Sequence, residues 1–214
     1  MIQHLTLVCL VGCGACVYAE YRGFARLRIA SKLIASAAFV GLGAMGIYGG
    51  FGAWMFAGLV LGAVGDAALL GRGKRAFLVG LGAFLLGHLA YVVGIAQLEP
   101  PGRWLADAGW LAALPIAGGV AVLALLWRRL GGLRLPVIAY VAAIVAMVIA
   151  AIAAARAGVL PRSQGGWLAT GAVLFFLSDL AVARDRFVGR AFSNKLWGLP
   201  AYYAAQILIA WSML

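Results

Sequence analysis

The chain has 214 residues, of which 65% are apolar and 11% charged, with a mean hydropathy of +1.04. Soluble domains run at roughly 45–50% apolar and about 25% charged, so this composition cannot cover a water-facing surface and excludes a soluble globular protein. The formal charge of +11 would point to nucleic acid in a soluble protein; here its distribution speaks to membrane topology instead, and no nucleic-acid partner is expected.

A helix of about 20 apolar residues crosses a hydrocarbon core of roughly 30 Å. Apolar runs between polar breaks predict spans near 2–19, 30–47, 51–70, 76–97, 108–127, 135–155, 166–183 and 197–213. Eight spans with short links use the whole chain. The expected fold is therefore all-α, a polytopic bundle of eight transmembrane helices forming one domain over residues 1–214.

Span 1 ends in Val17-Tyr18-Ala19, which imitates a cleavage site. It lacks a basic n-region, having only His4, and reads as a span rather than a leader. Cys9, Cys13 and Cys16 follow at spacings of four and three, on one helix face. A disulfide within one helix has poor geometry and no ligand pattern accompanies them, so they read as small packing residues; no metal or cofactor is expected. Pro115 and Pro200 fall in or near the first turns of spans 5 and 8, where proline is tolerated.

The links after spans 1, 3, 5 and 7 hold Arg22, Arg26, Arg28 and Lys32; Arg72, Lys74 and Arg75; Arg128, Arg129 and Arg134; and Arg184, Arg186, Arg190 and Lys195. The even links hold only Arg103, Arg156 and Arg162. Positive charge collects on the cytoplasmic side, so the odd links are expected in the cytoplasm and both termini outside. Trp54, Trp104, Trp110, Trp167 and Trp211 then fall at outer span ends, and Trp127 and Trp197 at inner ends, as in an aromatic belt.

A charge inside the bilayer costs several kcal/mol, on the order of 3 at a helix centre, and is a functional hypothesis by default. Glu20, Glu99, Asp107 and Asp185 belong to links; Asp66 and Asp179 do not. Each lies five or six residues before a cytoplasmic basic cluster, roughly 8 Å inside the boundary. Gly58, Gly62 and Asp66 form one stripe at i, i+4, i+8, a seam where a partner helix packs, which turns Asp66 into the bundle. Gly171, Phe175 and Asp179 repeat the spacing, with Ser178 beside them. The segments Gly65–Leu70 and Ser178–Ala183 lie four spans apart, a short match of the kind parallel repeats leave. Either aspartate could also pair with Lys32 or Lys195 merely to pin helices.

Lys32 and Asn194 sit at the cytoplasmic edge. Tyr202, Tyr203 and Gln206 lie roughly 10–16 Å in from Lys195, with Tyr202 and Gln206 on one face; they form either a cavity wall or an interhelical clasp. His88 and Tyr91 are one turn apart in span 4. Counted from Arg75, His88 lies about 20 Å in, deeper than the aspartates, so no His88–Asp66 pair is assigned and His88 stands outside the immediate site.

Taken in order, Tyr21-Arg22-Gly23, Ser31-Lys32-Leu33, Gly65–Leu70, Gly87-His88-Leu89-Ala90-Tyr91, Gly171–Asp179 and Ala201–Gln206 resemble the lysoplasmalogenase (YhhN-like) membrane family across essentially the whole chain. The family usually follows the lysine with proline, where this chain has Leu33. The resemblance implies hydrolysis of the vinyl-ether bond of lysoplasmalogens to a fatty aldehyde and a glycerophospho-base, with membrane lipids and a lysophospholipid as partners; the charge topology puts the site towards the cytoplasmic leaflet of what is expected to be a bacterial cytoplasmic membrane. Vinyl ethers hydrolyse by protonation at the β-carbon and capture of the oxocarbenium ion by water. That needs one protonated carboxyl and one ionised one, and Asp66 and Asp179 are the expected catalytic pair. Lys32, Asn194, Tyr202, Tyr203, Gln206, His88 and Tyr91 are the expected substrate-binding set, and Lys32, Arg72, Lys74, Arg184 and Lys195 lie near enough to meet the phosphate. A proton-coupled transporter would use the same buried carboxyls. An intramembrane aspartyl protease is disfavoured because Ala63 occupies the glycine position of Gly-x-Gly-Asp. A non-catalytic lipid-binding bundle would bind without turnover.

Overall fold

The computed structural model of the chain describes residues 1–71 and 73–214. Among these residues there are helices and turns and no strands. The long helices are α1 (Ile2–Arg22), α2 (Ala25–Ala44), α3 (Gly49–Leu70) and α4 (Lys74–Ala96). A short α5 (Trp104–Ala108) leads to α6 (Ala113–Leu126), followed by α7 (Arg134–Ala157), α8 (Arg162–Phe187) and α9 (Phe192–Trp211).

Four helices, α1, α2, α8 and α9, overrun the apolar windows by three to five residues into the basic links. The bilayer limits which side chains face lipid, not where backbone hydrogen bonding stops, and long basic side chains reach the interface from inside a helix. Gly23 ends α1 at φ 72°, its N–H bonded to the Ala19 carbonyl, a left-handed stop open to glycine. The same overrun corrects the reading of Pro200. Because α9 begins at Phe192, this proline is the ninth residue of the helix rather than a first-turn residue; it is exposed, on the side where its lost N–H does least harm. Pro115 does occupy the first turn of α6.

The fifth span is not one regular helix. A 3-10 turn at Pro101–Arg103, α5, a second turn at Gly109–Ala112 with Gly109 at φ 57°, and α6 make up the stretch Pro101–Arg129. Arg103 Nε lies 3.6 Å from Glu99 and 3.3 Å from Asp107, and Arg156 Nε donates to the Asp107 carbonyl at 2.8 Å, fastening this segment to α7. Among the described residues, seven helical stretches are long and apolar enough to cross a membrane. The eighth, α9, has 20 residues but carries Asn194, Lys195 and Gln206, and its polar face is turned inward.

Helix α3 packs along α4, α8 along α9, and α1 along α2; α7 stands against both α4 and α8, and α9 closes onto α1 and α2. Polarity is inverted relative to a water-soluble protein. Leu7, Val11, Leu114, Val120, Leu125 and Leu135 are exposed, while Ser36, Asp66, His88 and Gln206 are buried. An outer surface of this kind belongs in hydrocarbon, and the protein is an integral membrane protein. The three cysteines are free and buried on the inner face of α1. Beside them Gly12 brings α1 so close to α2 that a Cβ there would sit 3.0 Å from that of Ala35.

Candidate functional site

Lys32 and Ser36 are four residues apart on α2 and project from one face. Asp66 meets them from the last turns of α3. Its Oδ1 lies 2.8 Å from the Lys32 ammonium, and its Oδ2 accepts a 2.6 Å hydrogen bond from the Ser36 hydroxyl. All three residues are buried, so the carboxylate has one cation and one neutral donor in place of water. Leu33 lets α2 run unbroken past Lys32, through to Ala44.

Asp179 on α8 has different company. Its Oδ2 accepts a 2.8 Å hydrogen bond from the Tyr140 hydroxyl of α7, and His88 Nε2 of α4 approaches the same oxygen at 3.7 Å. Among the described residues, no Lys or Arg lies within ion-pair distance of it. Lys195, the alternative partner, is instead 3.1 Å from Asp185. Of the two aspartates, only Asp66 forms a lysine ion pair among the described residues.

Both aspartates line one cavity of about 920 Å³, within the range of small-molecule sites. One end of the cavity carries Glu20, Arg28, Lys32, Asp185, Arg186, Arg190, Asn194 and Lys195. Leu81 and Phe84 of α4, Gly119 of α6, Ile144 of α7 and Phe176 of α8 also line it, seven to eleven residues along their helices from the ends next to the basic links. Tyr140 and Tyr202 line it with the carboxyls. The volume is charged at the end where the basic links gather and apolar towards the middle of the bundle.

Behind this wall runs a hydrogen-bonded chain. Tyr91 OH donates to Gln206 Oε1 at 2.8 Å, and Gln206 Nε2 donates to Tyr202 OH at 3.1 Å. The glycine stripe makes room for it. A Cβ at Gly58 would collide with the Tyr91 ring, and one at Gly62 with Gln206 Nε2.

Of the residues expected to bind substrate, Lys32, Asn194 and Tyr202 line the cavity, whereas Tyr91, Tyr203, Gln206 and His88 lie behind it. Tyr203 OH donates to the Lys32 carbonyl at 3.4 Å, clasping α9 to α2. Asn194 Nδ2 donates to the Gly189 carbonyl at 3.0 Å and to Asp185 at 3.3 Å, so its amide hydrogens fasten the turn between α8 and α9. Lys74 and Arg184 do not line the cavity, where Arg28, Arg186 and Arg190 do; Arg72 lies outside the described residues.

Exclusion of His88 from the immediate site is corrected by the geometry. Helix α8 runs on to Phe187, which puts Asp179 eight residues, about 12 Å, from its helix end rather than 8 Å, and the two side chains reach across the remainder. Tyr140 and Ser36 were not anticipated. A usable signal existed for each, since Ser36 lies four residues after Lys32, and Tyr140 lies six residues, roughly 9 Å, into α7, at the depth of the aspartates. Among the described residues no three His, Cys, Asp or Glu side chains converge on a metal-sized site.

The helical bundle and its inward-facing carboxyls define a polytopic membrane protein with an intramembrane, amphipathic site. The chain belongs to the YhhN family, which it matches over residues 27–213. It is 37% identical over 164 residues to the protein named lysoplasmalogenase from Mycobacterium tuberculosis, covering 73% of this chain and 58% of the relative. It is 34% identical over 168 residues to human lysoplasmalogenase TMEM86B, covering 78% and 66%, and 35% identical over 167 residues to the pig protein of that name, covering 77% and 65%. The chain thus spans about three fifths of the length of the mycobacterial relative. No solved structure matches it.

Proposed function

We propose that the chain hydrolyses the vinyl-ether bond of 1-alkenyl lysophospholipids, giving a fatty aldehyde and a glycerophospho-base. The observation that carries this reading is an amphipathic cavity lined by Asp66 and Asp179 in unlike settings, the first paired with an ammonium and the second without a Lys or Arg partner among the described residues. The names of the relatives support the substrate class. A lysolipid has the same polarity pattern as the cavity, with a charged head, a polar linkage and an apolar chain.

In this reading Asp179 is the acid. Tyr140 holds its Oδ2, leaving Oδ1 to carry the proton and deliver it to the β-carbon of the alkenyl chain. The electron pair of the double bond forms the new C–H bond, and the positive charge spreads onto the ether oxygen. Asp66, paired with Lys32, takes a proton from water as its oxygen attacks the α-carbon and a hemiacetal forms. On collapse the hemiacetal hydroxyl returns its proton to Asp179 as the bond to the glycerol oxygen breaks, and Asp66 gives its proton to that oxygen. Both carboxyls are then restored, and the net reaction is addition of one water. Tyr202 lies on the wall where the glycerol would rest. Arg28, Arg186 and Arg190 at the charged end suit the phosphate.

The bundle, taken as one domain, then lies in a bacterial cytoplasmic membrane with its basic end in the cytoplasm and both termini outside, as the charge asymmetry requires. Reporter fusions read this directly. A cytoplasmic C-terminus would overturn the orientation.

The deciding measurement is aldehyde release from a 1-alkenyl lysophospholipid by the purified protein. General acid–base catalysis contributes about 10²–10⁴-fold, so Asp66→Asn and Asp179→Asn should each lose activity on that scale. Full activity in either variant sinks the pair. A wild-type protein that releases no aldehyde but moves a solute across proteoliposomes is a transporter.

A further inference from the structure

His88 is fully buried, and neither ring nitrogen makes a well-formed hydrogen bond among the described residues, the backbone of Phe84 one turn earlier lying within reach of the ring. Packing alone does not call for histidine here. The ring meets Phe175 edge-on at 4.6 Å and Tyr140 at 5.1 Å between centroids, contacts a phenylalanine would make without stranding two polar atoms. Buried polar groups are almost always paired, and an unpaired one costs stability. An unsatisfied group beside a reactive carboxyl calls for a state in which it becomes satisfied.

Asp179 Oδ2 lies 3.7 Å from Nε2, just beyond hydrogen-bond range. That oxygen already accepts from Tyr140 and has a second lone pair. We infer that His88 is a positioning residue for Asp179, its neutral imidazole donating Nε2–H to Oδ2 when the carboxyl gives up its proton. This rests on the reading of Asp179 as the acid. While Asp179 holds its proton the contact stays long. As the carboxylate forms, the oxygen gains charge and the contact shortens to a hydrogen bond. Tyr140 and His88 then steady the new anion from two sides, in a place where no described Lys or Arg lies within ion-pair distance, while Oδ1 remains free to take the proton back. No proton leaves His88 in this cycle.

An interaction made only as charge develops lowers the barrier without tightening substrate binding. His88→Phe keeps the ring and removes the donor; His88→Gln loses the ring and keeps an N–H near the position of Nε2. With the full chain in nanodiscs, His88→Phe should lower kcat roughly 10- to 100-fold with KM unchanged, and His88→Gln should recover most of it. The second readout needs no turnover. The infrared antisymmetric carboxylate stretch of ionised Asp179, assigned by its loss in Asp179→Asn, should shift in His88→Phe and return in His88→Gln. Unchanged kcat and an unchanged band in His88→Phe overturn the inference, as does equal loss in both variants with a matching fall in Tm, which marks a packing role. A wild-type protein without aldehyde release defeats the hydrolase reading, while the band still decides whether His88 reaches Asp179.

Discussion

Lys32 and Asp66 are both buried, so neither charge can be considered without the other. Removing one partner of such a pair leaves an uncompensated charge at a cost of about 3–5 kcal/mol. Lys32→Met should therefore lower stability to denaturant in detergent by about that amount, and adding Asp66→Asn to it should recover part of the loss. If the two changes prove additive, the 2.8 Å contact is not energetically coupled. Tyr140 offers the opposite test, of function without stability. Tyr140→Phe keeps the ring against His88 and removes one hydrogen bond to Asp179. Hydrogen bonds to charged groups contribute about 1.5–3 kcal/mol, so kcat should fall roughly 10- to 100-fold while Tm stays near that of wild type. Equal kcat in the two proteins would remove Tyr140 from the mechanism.

Between elements, the seam of α3 sets how closely α4 and α9 approach. At Gly62 a Cβ would enter the space of Gln206 Nε2 and stand 3.2 Å from Tyr202 OH, so Gly62→Ala displaces the relay that presents Tyr202 to the cavity. Overpacking of this kind costs about 1–3 kcal/mol, and aldehyde release should fall further than the Tm alone explains. Gly82→Ala is the matched control. No atom lies within 4 Å of its Cβ position, and replacing glycine inside a helix gains about 0.5–1 kcal/mol; a Tm that falls there would contradict the packing. The same seam marks what the amino-acid sequence could and could not disclose. Periodicity along one helix revealed the Gly58–Gly62–Asp66 stripe and the shared face of Tyr202 and Gln206, because both are properties of a single rod. Depth counting from span ends put Asp66 and Asp179 at one level, whereas Asp66 lies four residues from the end of α3 and Asp179 eight from the end of α8. Which rods are neighbours is a property of the assembly, and Tyr140 and His88 reach Asp179 only because α7 packs against both α4 and α8. Depth counting also failed where span ends were taken for helix ends, which is why His88 was set aside.

Across the whole molecule, the cavity lies between the charged link end of the bundle and an apolar limb walled by α4, α6, α7 and α8. A lysolipid chain leaving the bilayer for that limb exchanges one apolar setting for another, so its transfer contributes little affinity and the limb selects by shape. Helix α6 is the thinnest part of this wall, 14 residues long and packed chiefly on α7. Its Val122 lines the cavity. Val122→Trp should fill the α6 side of the space, on a helix that carries neither carboxyl. Forcing a long alkenyl chain past the indole carries an overpacking cost of about 1–3 kcal/mol, roughly 5- to 150-fold in kcat/KM, whereas a chain too short to reach α6 should be hydrolysed as before. The quantity to measure is the ratio of kcat/KM for long- and short-chain 1-alkenyl lysolipids in mixed micelles, where both substrates are presented alike. A fall in that ratio of about tenfold or more places the chain in the limb between α6 and α7. Equal slowing of both chains would mean that the tryptophan disturbs the bundle generally, and no change in either would mean that the chain lies elsewhere, along α1 and α2 or in the bilayer itself.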